Sequence, residues 1–110
     1  MSLVRGDVHW ATFAEREPPG REIAKHRPSV ILSLTGVNVY RLTVVVVPLT
    51  TSPRLREPLE IALPSAGRES KAVCDQITAI DKRRIGDKIG SLTGHELRRL
   101  EESVRQVLGL

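Results

Sequence analysis

The stretch Thr43-Val44-Val45-Val46-Val47-Pro48-Leu49-Thr50 decides the fold of this chain. Its four consecutive valines favour a β-strand, because β-branched side chains pack well on a pleated surface and lose freedom in a helix. Such a run implies burial on both faces of the strand, or one face in the core and the other against a partner chain. The run ends at Thr50, so a hydroxyl group lies at the exit of the strand.

A second apolar run supplies the other half of a candidate site. Arg27-Pro28 opens the run from Ser29 to Leu34. An arginine at the mouth of one strand and a threonine at the exit of another can face the same cleft. A guanidinium offers a planar fork of donors with a fixed charge, and a hydroxyl is a small rotatable donor and acceptor. Arg27 and Thr50 together are therefore suited to binding a phosphate.

The composition points to a small β-protein. The chain has 110 residues, which predicts a single domain over 1–110. Hydrophobic residues make up 40% and aromatic residues only 3%, so the core must consist of Val, Ile and Leu. The formal charge of +4 indicates an anionic partner, although a solvated basic surface has the same balance.

The compartment follows from three features that are missing from the sequence. The single cysteine, Cys74, cannot form an internal disulfide, which fits a reducing environment. Its neighbours indicate a small strand residue and not a catalytic thiol. No apolar stretch approaches the roughly 20 residues of a membrane span, and no signal peptide is visible at the N-terminus. We therefore expect a cytoplasmic protein without membrane contact.

The pattern predicts short strands with one loop and one good helix. The predicted strands are a first one with Val8, Trp10 and Thr12 on one face, then Val30 to Leu34, Tyr40 to Leu49, a strand containing Ile61 and Leu63, Ala72 to Cys74, and Ile77 to Ile80. Gly36-Val37-Asn38 predicts a turn and residues 15–25 a surface loop. Lys82-Arg83-Arg84 predicts a helical turn that leads into a closing segment.

The C-terminal helix has the clearest signals. Thr93 and Glu96 form a capping box, which satisfies two amide donors at a helix start. The predicted apolar stripe consists of Leu97, Leu100, Val104, Val107 and Leu108, and Arg98, Glu102 and Arg105 are expected to face solvent. Short strands with Gly/Pro turns and one terminal amphipathic helix predict a mainly β fold, a small curled barrel with a helix packed on it.

Several kinds of chemistry find no support in the residues. His9, His26 and His95 are widely dispersed and there is no cysteine pair, so we expect neither a metal site nor a cofactor. No nucleophile elbow or Gly-rich phosphate loop is present. Aromatic residues are too few for an RNA reader that stacks bases on a sheet.

A set of sequence blocks spanning nearly the entire chain resembles the MazF/PemK toxin family. The blocks are Arg5-Gly6-Asp7-Val8-His9-Trp10, Gly20-Arg21-Glu22, Lys25-His26-Arg27-Pro28, Val47-Pro48-Leu49-Thr50-Thr51-Ser52, Cys74-Asp75-Gln76-Ile77, Ile80-Asp81-Lys82-Arg83-Arg84-Ile85 and Gly90-Ser91-Leu92-Thr93. Each block alone is weak, but their order and spacing together are highly specific.

This resemblance implies a fold, an activity and partners. The family consists of dimeric SH3-like barrels from toxin–antitoxin modules, and their action inhibits growth. Most members cut single-stranded RNA at short sequence motifs without a metal ion. A cognate antitoxin with an acidic C-terminal segment would cover the basic cleft and compete with RNA. We therefore expect a homodimeric endoribonuclease of the mRNA interferase type.

The resemblance also implies roles for individual residues. Arg27 and Thr50 match the family's catalytic arginine and threonine. The residues expected to contact RNA are Arg21, Glu22, Lys25, His26, Thr51, Ser52 and Gln76. Lys82-Arg83-Arg84 is either a solvated turn or a further RNA-contacting patch. Val73 and Arg21 depart from the PemK branch, and Thr78 stands where many family members have an arginine. The version of the mechanism built on arginine and threonine therefore fits better.

The implied mechanism uses the RNA's own ribose 2′-hydroxyl as the nucleophile. Arg27 would stabilise the charge that develops on the phosphorane, Thr50 would hold a phosphate oxygen or orient the 2′-hydroxyl, and the products would be 2′,3′-cyclic phosphate and 5′-hydroxyl ends. The general base stays open between Glu22, His26, whose side chain points away from Arg27 if the segment is extended, and a substrate-assisted route.

Two other function classes remain. A toxin of the same fold poisons DNA gyrase by binding, and a degenerate member could serve only to bind a partner or DNA. The presence of Arg27 and Thr50 disfavours both. The sequence does not specify the RNA motif, the preferred class of RNA or the antitoxin.

Overall fold

A computed structural model describes residues 2–13 and 26–110 of the chain. The whole surface loop predicted for residues 15–25 therefore lies outside the described residues, and Arg21, Glu22 and Lys25 lie within it. The strands are β1 (Asp7–Thr12), β2 (His26–Ile31), β3 (Thr43–Thr50), β4 (Glu60–Ala62), β5 (Lys71–Val73), β6 (Thr78–Asp81) and β7 (Ile85–Ser91). The helices are α1 (Thr35–Tyr40) and α2 (Gly94–Leu108).

The strands form an antiparallel sheet in the order β4-β5-β3-β2-β1-β7, with β6 also paired to β3. Strand β3 is the centre: Thr43–Val46 pair with β6, and Leu49 and Thr50 pair with β5. Pro48 falls between these two paired segments, which is where a strand tolerates a residue without an N–H group. Within the described residues β4 and β7 do not pair with each other. The mainly β class is confirmed, although the sheet curls without closing into a strict barrel.

The valine run is buried on both faces within one chain. Val47 packs in a first core together with Val8, Val30 and the helix residue Leu100. Val44 and Val46 point to the opposite face and pack in a second core. The alternation of strand side chains explains this division. The two-sided burial predicted from the sequence is therefore met by the fold of a single chain.

Helix α2 begins as predicted. The Thr93 hydroxyl accepts from the Glu96 N–H at 3.1 Å, and the Glu96 carboxylate accepts from the Thr93 N–H at 2.9 Å. Glu96 also accepts from the N–H of Ser65 at 3.0 Å, which links the helix to the turn after β4. Leu100 and Val104 are buried in the first core, and Leu97 and Val107 pack partly against it.

The charged face of α2 is exposed as predicted, but one member of the apolar stripe is not covered. Leu108 is 50% exposed. It is the last residue of the helix, where Gly109 takes a left-handed conformation and ends it. The apolar residues keep their helical spacing as far as Leu108, but the core against which the stripe packs does not extend to that residue.

Several element predictions were wrong. The second strand was predicted from Val30 to Leu34 but runs from His26 to Ile31, and Leu63 and Cys74 lie just outside β4 and β5. The turn predicted at Gly36-Val37-Asn38 is helix α1, and the third strand begins at Thr43 and not at Tyr40. Helix α1 is held by the buried side chain of Asn38, which donates to the Leu3 carbonyl at 2.8 Å. The closing segment after the turn at Lys82–Arg84 is strand β7. The glycines of β7 interrupt the alternation of apolar and polar residues that indicates a strand. The pairing of β7 with β1 is a long-range contact that the sequence does not show.

The described helices include none that is long and apolar enough to cross a membrane.

Candidate active site

Arg27 and Thr50 lie opposite each other on neighbouring strands. Strands β2 and β3 are antiparallel with Ser29 paired to Pro48 and Val30 to Val47. Continuing that register by two residues along each strand sets Arg27 opposite Thr50. Residues directly opposite in an antiparallel pair share one face, with Cβ atoms roughly 5 Å apart. The fold thus brings together the two side chains on which the sequence-based site depends.

The side chain of Arg27 is half-buried and makes no ion pair with any other described residue. Its Nε is fully enclosed without a hydrogen-bond partner among the described residues. Its terminal guanidinium nitrogens can therefore serve a bound anion.

The hydroxyl of Thr50 is oriented by the chain that follows it. Its Oγ1 accepts a hydrogen bond from the N–H of Ser52 at 3.2 Å. That bond occupies a lone pair and leaves the hydroxyl proton free to donate. Thr50 is half-buried at the end of β3. The Thr50 hydroxyl can therefore act as a donor on the face of the sheet that also carries Arg27.

The same cross-strand row contains a cation that the sequence analysis missed. Ala11 pairs with Arg27, and Thr50 pairs with Lys71. The row across four strands is therefore Ala11, Arg27, Thr50 and Lys71, all on one face of the sheet. Lys71 is half-buried, and its Nζ donates to the Glu69 carbonyl at 3.0 Å. Its sequence position carries no signal, because only the β3–β5 register aligns it with Thr50.

His26 lies on the other face of β2 from Arg27. Its ring stacks on Trp10 with centroids 4.8 Å apart and an interplanar angle of 4°. Its Nδ1 lies 3.4 Å from the Thr12 hydroxyl. Adjacent residues of a strand point to opposite faces, so the extended backbone separates this imidazole from the guanidinium. The sequence analysis predicted that the His26 side chain would point away from Arg27 in an extended segment, and the structure agrees.

Of the remaining residues predicted to contact RNA, three are described by the structure and three are not. Thr51 is exposed just after β3, and Ser52 is half-buried beside it. Gln76 is half-buried in the short 3-10 turn Cys74–Gln76. Arg21, Glu22 and Lys25 lie outside the described residues.

Most of the basic segment Lys82–Arg84 has a structural role. Lys82 donates to the Asn38 carbonyl at 2.7 Å. Arg83 pairs with Asp81 at 2.9 Å, and the hydrogen bonds from Arg83 lower the pKa of Asp81 to about 2. Arg84 is exposed. The solvated turn is therefore the better interpretation for two of the three cations.

Cys74 and the cavities belong to other parts of the molecule. Burial of Cys74, with a further effect of Asp75, raises the pKa of its thiol to about 12, as expected of a core residue. Two cavities of about 300 and 640 Å³ lie around Arg5, and neither is lined by Arg27 or Thr50. Among residues 2–13 and 26–110 no cluster of three or more His, Cys, Asp or Glu side chains could hold a metal ion.

The chain is thus a small, mainly β protein with a C-terminal helix, and it carries an arginine on β2 and a threonine at the end of β3 on one face of the sheet. A sequence profile of the PemK-like, MazF-like toxins of type II toxin–antitoxin systems matches residues 4–108, and the chain belongs to this family. The resemblance drawn from the sequence blocks is thereby confirmed.

Individual relatives agree with this assignment. The endoribonuclease toxin MazF of Escherichia coli K12 is 31% identical over 105 residues, which cover 94% of this chain and 92% of the relative. An endoribonuclease from a mycobacterial species, solved in complex with its cognate antitoxin, has a TM-score of 0.78 at 27% identity and covers 97% of this chain and 95% of its own. MazF from Deinococcus radiodurans reaches a TM-score of 0.87 at 21% identity, with 100% and 99% coverage, and supports the fold alone.

Proposed function

We propose that this protein is a metal-independent endoribonuclease toxin that cleaves single-stranded RNA at specific short sequences. One observation carries the proposal: the β2–β3 register, with Ser29 paired to Pro48 and Val30 to Val47, aligns Arg27 with Thr50 on one face of the sheet when it is continued by two residues. Relatives with this fold are named endoribonucleases, and both side chains are available for an anionic ligand.

The chemistry follows from what RNA and these two groups supply. The ribose 2′-hydroxyl loses its proton and attacks the adjacent phosphorus, the bond from phosphorus to the 5′-oxygen of the next nucleotide breaks, and that oxygen takes up a proton from solvent. The products are a 2′,3′-cyclic phosphate and a 5′-hydroxyl end. The guanidinium of Arg27 stabilises the charge that grows on the phosphorane, and the Thr50 hydroxyl donates to a phosphate oxygen. Charge neutralisation and positioning suffice because the substrate carries its own nucleophile.

Proton transfer belongs to other groups, because a guanidinium stays charged at ordinary pH and does not accept a proton. The opposite orientation of His26 favours Glu22, or the phosphate itself, as acceptor of the 2′-hydroxyl proton. RNA contacts extend to Arg21, Lys25, His26, Thr51, Ser52 and Gln76, and the cross-strand row adds Lys71 to them.

The partners follow from charge and exposed apolar surface. The net charge of +4 suits RNA and an antitoxin whose C-terminal segment is acidic. An antitoxin accompanies the mycobacterial relative in its solved complex. Exposed apolar side chains gather on and around α1, and we assign this surface to a second copy of the chain in a homodimer. We name it the α1 surface, formed by Leu34, Val37, Val39, Tyr40 and Leu42. With RNA as its substrate, the protein acts in the cytoplasm.

The test is incubation of purified protein with mixed RNA in the presence of a chelator, followed by mapping of both ends of each product. We expect cyclic-phosphate ends from the wild type and none from Arg27→Ala or Thr50→Ala proteins whose circular dichroism shows that they are folded. Arg98→Ala, which removes an exposed arginine on α2, is the matched control and should cleave normally. A requirement for magnesium, or cleavage of DNA of the same sequence, would contradict the mechanism.

No observation favours the gyrase-binding or non-cleaving alternatives. Neither would need Arg27 and Thr50 in opposed positions.

A further inference from the structure

Three polar atoms are enclosed in one part of the sheet without a hydrogen-bond partner among the described residues. They are Nε2 of His9, Oγ of Ser29 and Nε of Arg27. His9 is 2% exposed and Ser29 0%. Buried polar atoms in native proteins nearly always have a protein or water partner. Three such atoms together therefore mark a site and not a random defect.

The register places all three side chains on the same face. His9 of β1 pairs directly with Ser29 of β2, and Ala11 pairs with Arg27. Ser29 and Arg27 are two residues apart on β2, so they share a face, and His9 lies diagonal to Arg27. Ser29, two residues along β2, and His9, diagonal to Arg27 on β1, thus each carry a polar atom without a hydrogen-bond partner among the described residues.

The hydrogen bond on the far side of the imidazole fixes its tautomer. Nδ1 of His9 lies 2.9 Å from the carbonyl oxygen of Gly86. A carbonyl oxygen only accepts, so Nδ1 carries the proton and donates it. Nε2 of the neutral ring then presents a lone pair. The three enclosed atoms are accordingly an acceptor at His9, a donor at Arg27 and a hydroxyl at Ser29 that can be either.

We propose that these three atoms bind one buried water molecule, and that through it His9 is a positioning residue for the Arg27 guanidinium. The water accepts from Arg27 Nε, donates to His9 Nε2 and completes a third bond with Ser29 Oγ, which is the usual number for a buried water. A cation would be repelled by Arg27 and an anion by the His9 lone pair. A neutral molecule with two donors and two acceptors fits all three atoms.

The consequence concerns the reaction, and in this respect the inference rests on the proposed function. A bond to Nε fixes the plane of the guanidinium and leaves its terminal nitrogens for the phosphate. A small misplacement of a stabilising group is costly in rate, by as much as about a hundredfold for a shift of 1 Å. His9 and Ser29 would therefore affect turnover although neither touches RNA.

The test compares three variants with a matched control in the RNA cleavage assay. His9→Asn keeps a donor for the Gly86 carbonyl but has no atom in the place of Nε2. We expect its kcat to fall by about ten- to a hundredfold with KM within about twofold. His9→Gln, which can present an amide oxygen near the Nε2 position, should recover most of the rate. Ser29→Ala should give an intermediate loss, and His95→Asn, which changes an exposed histidine on α2, should behave as wild type.

Three further measurements do not depend on activity. A crystal structure should show a water within hydrogen-bond distance of all three atoms, and nitrogen-15 NMR of the imidazoles should show His9 protonated at Nδ1. Ser29→Ala should lower the melting temperature, because it removes a water ligand. If the hydroxyl is merely orphaned, the same change raises the melting temperature.

The outcomes separate this proposal from the one on which it rests. The absence of that water, an Nε2-protonated ring, or wild-type kcat in folded His9→Asn would each overturn the role of His9 while leaving the nuclease intact. Wild-type protein that cleaves no RNA would overturn the nuclease, and the water and the tautomer would still be measured directly.

Discussion

At the scale of single residues, the proposed chemistry depends on which hydrogen-bonding atoms of Arg27 and Thr50 are left for a ligand. Arg27 is enclosed at Nε but has no ion pair among the described residues. Thr50 accepts from Ser52 and keeps its proton. Arg83, in contrast, is committed to Asp81. Arg27 and Arg83 have the same side chain and the same charge. Only their surroundings make Arg27 a candidate catalytic residue and Arg83 a structural one.

Two substitutions of Thr50 distinguish the contribution of its hydroxyl group from that of its side-chain shape. Thr50→Ser keeps the donor and should retain cleavage within about tenfold, whereas the isosteric Thr50→Val should lose about a hundredfold or more, as expected when one stabilising donor is removed. Single-turnover cleavage of one RNA oligonucleotide measures both. Equal rates for the two variants would show that the hydroxyl does not act.

Cys74 should be unreactive in the folded protein. Its thiol is buried with a pKa of about 12, and the thiolate is the reactive form. We expect alkylation by iodoacetamide at pH 8 to be at least about a hundredfold slower in the native protein than in protein unfolded by urea. Mass spectrometry of timed samples gives both rates. Comparable rates would mean that the segment containing Cys74 opens readily.

At the scale of elements, pairing register matters more than residue type. The row of Ala11, Arg27, Thr50 and Lys71 exists because β1, β2, β3 and β5 are aligned as they are. A slip of one residue between β2 and β3 would turn Arg27 to the opposite face from Thr50. The valine run is buried on both faces, so the strand that carries Thr50 is held between the two cores.

Lys71 should contribute to RNA binding through its charge. Lys71→Ala should weaken RNA binding, and the slope of log K against log salt should become shallower by about 0.7, the value expected for one phosphate contact with a single strand. Lys71→Arg should restore both. Fluorescence anisotropy with a labelled RNA that cannot be cleaved measures them, and Arg98→Ala serves as the control. If the Lys71→Ala and Arg98→Ala slopes are equal, Lys71 lies away from the RNA.

The capping box of α2 should make stability depend on pH. Burial raises the pKa of Glu96, but hydrogen bonds from Ser65 and Thr93 outweigh it and lower the value from 4.5 to about 2. A folded-state pKa below the unfolded value means that the stabilisation is complete above about pH 4.5 and is lost as the pH falls toward 2. Glu96→Gln should therefore cost about 1 kcal/mol at pH 7 and less at pH 3.

Urea unfolding at the two pH values measures this difference. Glu102→Gln, an exposed change on the same helix, is the control and should show little effect at either pH. If Glu96→Gln lowers the free energy of unfolding by the same amount at pH 7 and pH 3, the charge of Glu96 does not contribute to the stability of the helix.

At the scale of the whole molecule, two cores on opposite faces of β1, β2 and β3 leave the α1 surface uncovered. Val39 is 70% exposed, Tyr40 87% and Leu42 84%. Clustered exposed apolar side chains of this kind are typical of an interaction surface. The valine run needs no partner chain for its burial, so the α1 surface is the stronger reason to expect a dimer.

A charge on the α1 surface should prevent dimer formation. In a two-fold interface one substitution acts in both copies, so Val39→Glu introduces two buried charges. We expect the wild type to sediment as a dimer and Val39→Glu as a folded monomer at the same concentration. Leu55→Glu, at another exposed leucine, is the matched control and should remain dimeric. A Val39→Glu dimer would place the interface elsewhere.

The sequence by itself determined the features that depend on local periodicity and end chemistry: the strand character of Val44 to Val47, the start of α2 at Thr93 and Glu96, and the identities of Arg27 and Thr50. Each of these signals depends only on residues that are close together in the sequence. Helix α1 was missed because a buried long-range bond from Asn38 to Leu3 stabilises it. Strand β7 was missed because its order comes from pairing with β1.

Only the tertiary structure decided which side chains meet. The opposition of Arg27 and Thr50, the place of Lys71 in their row and the proximity of His9, Ser29 and Arg27 all arise from register between strands that are distant in sequence. Register is a property of two strands together, set by the packing of both cores, and no single segment encodes it.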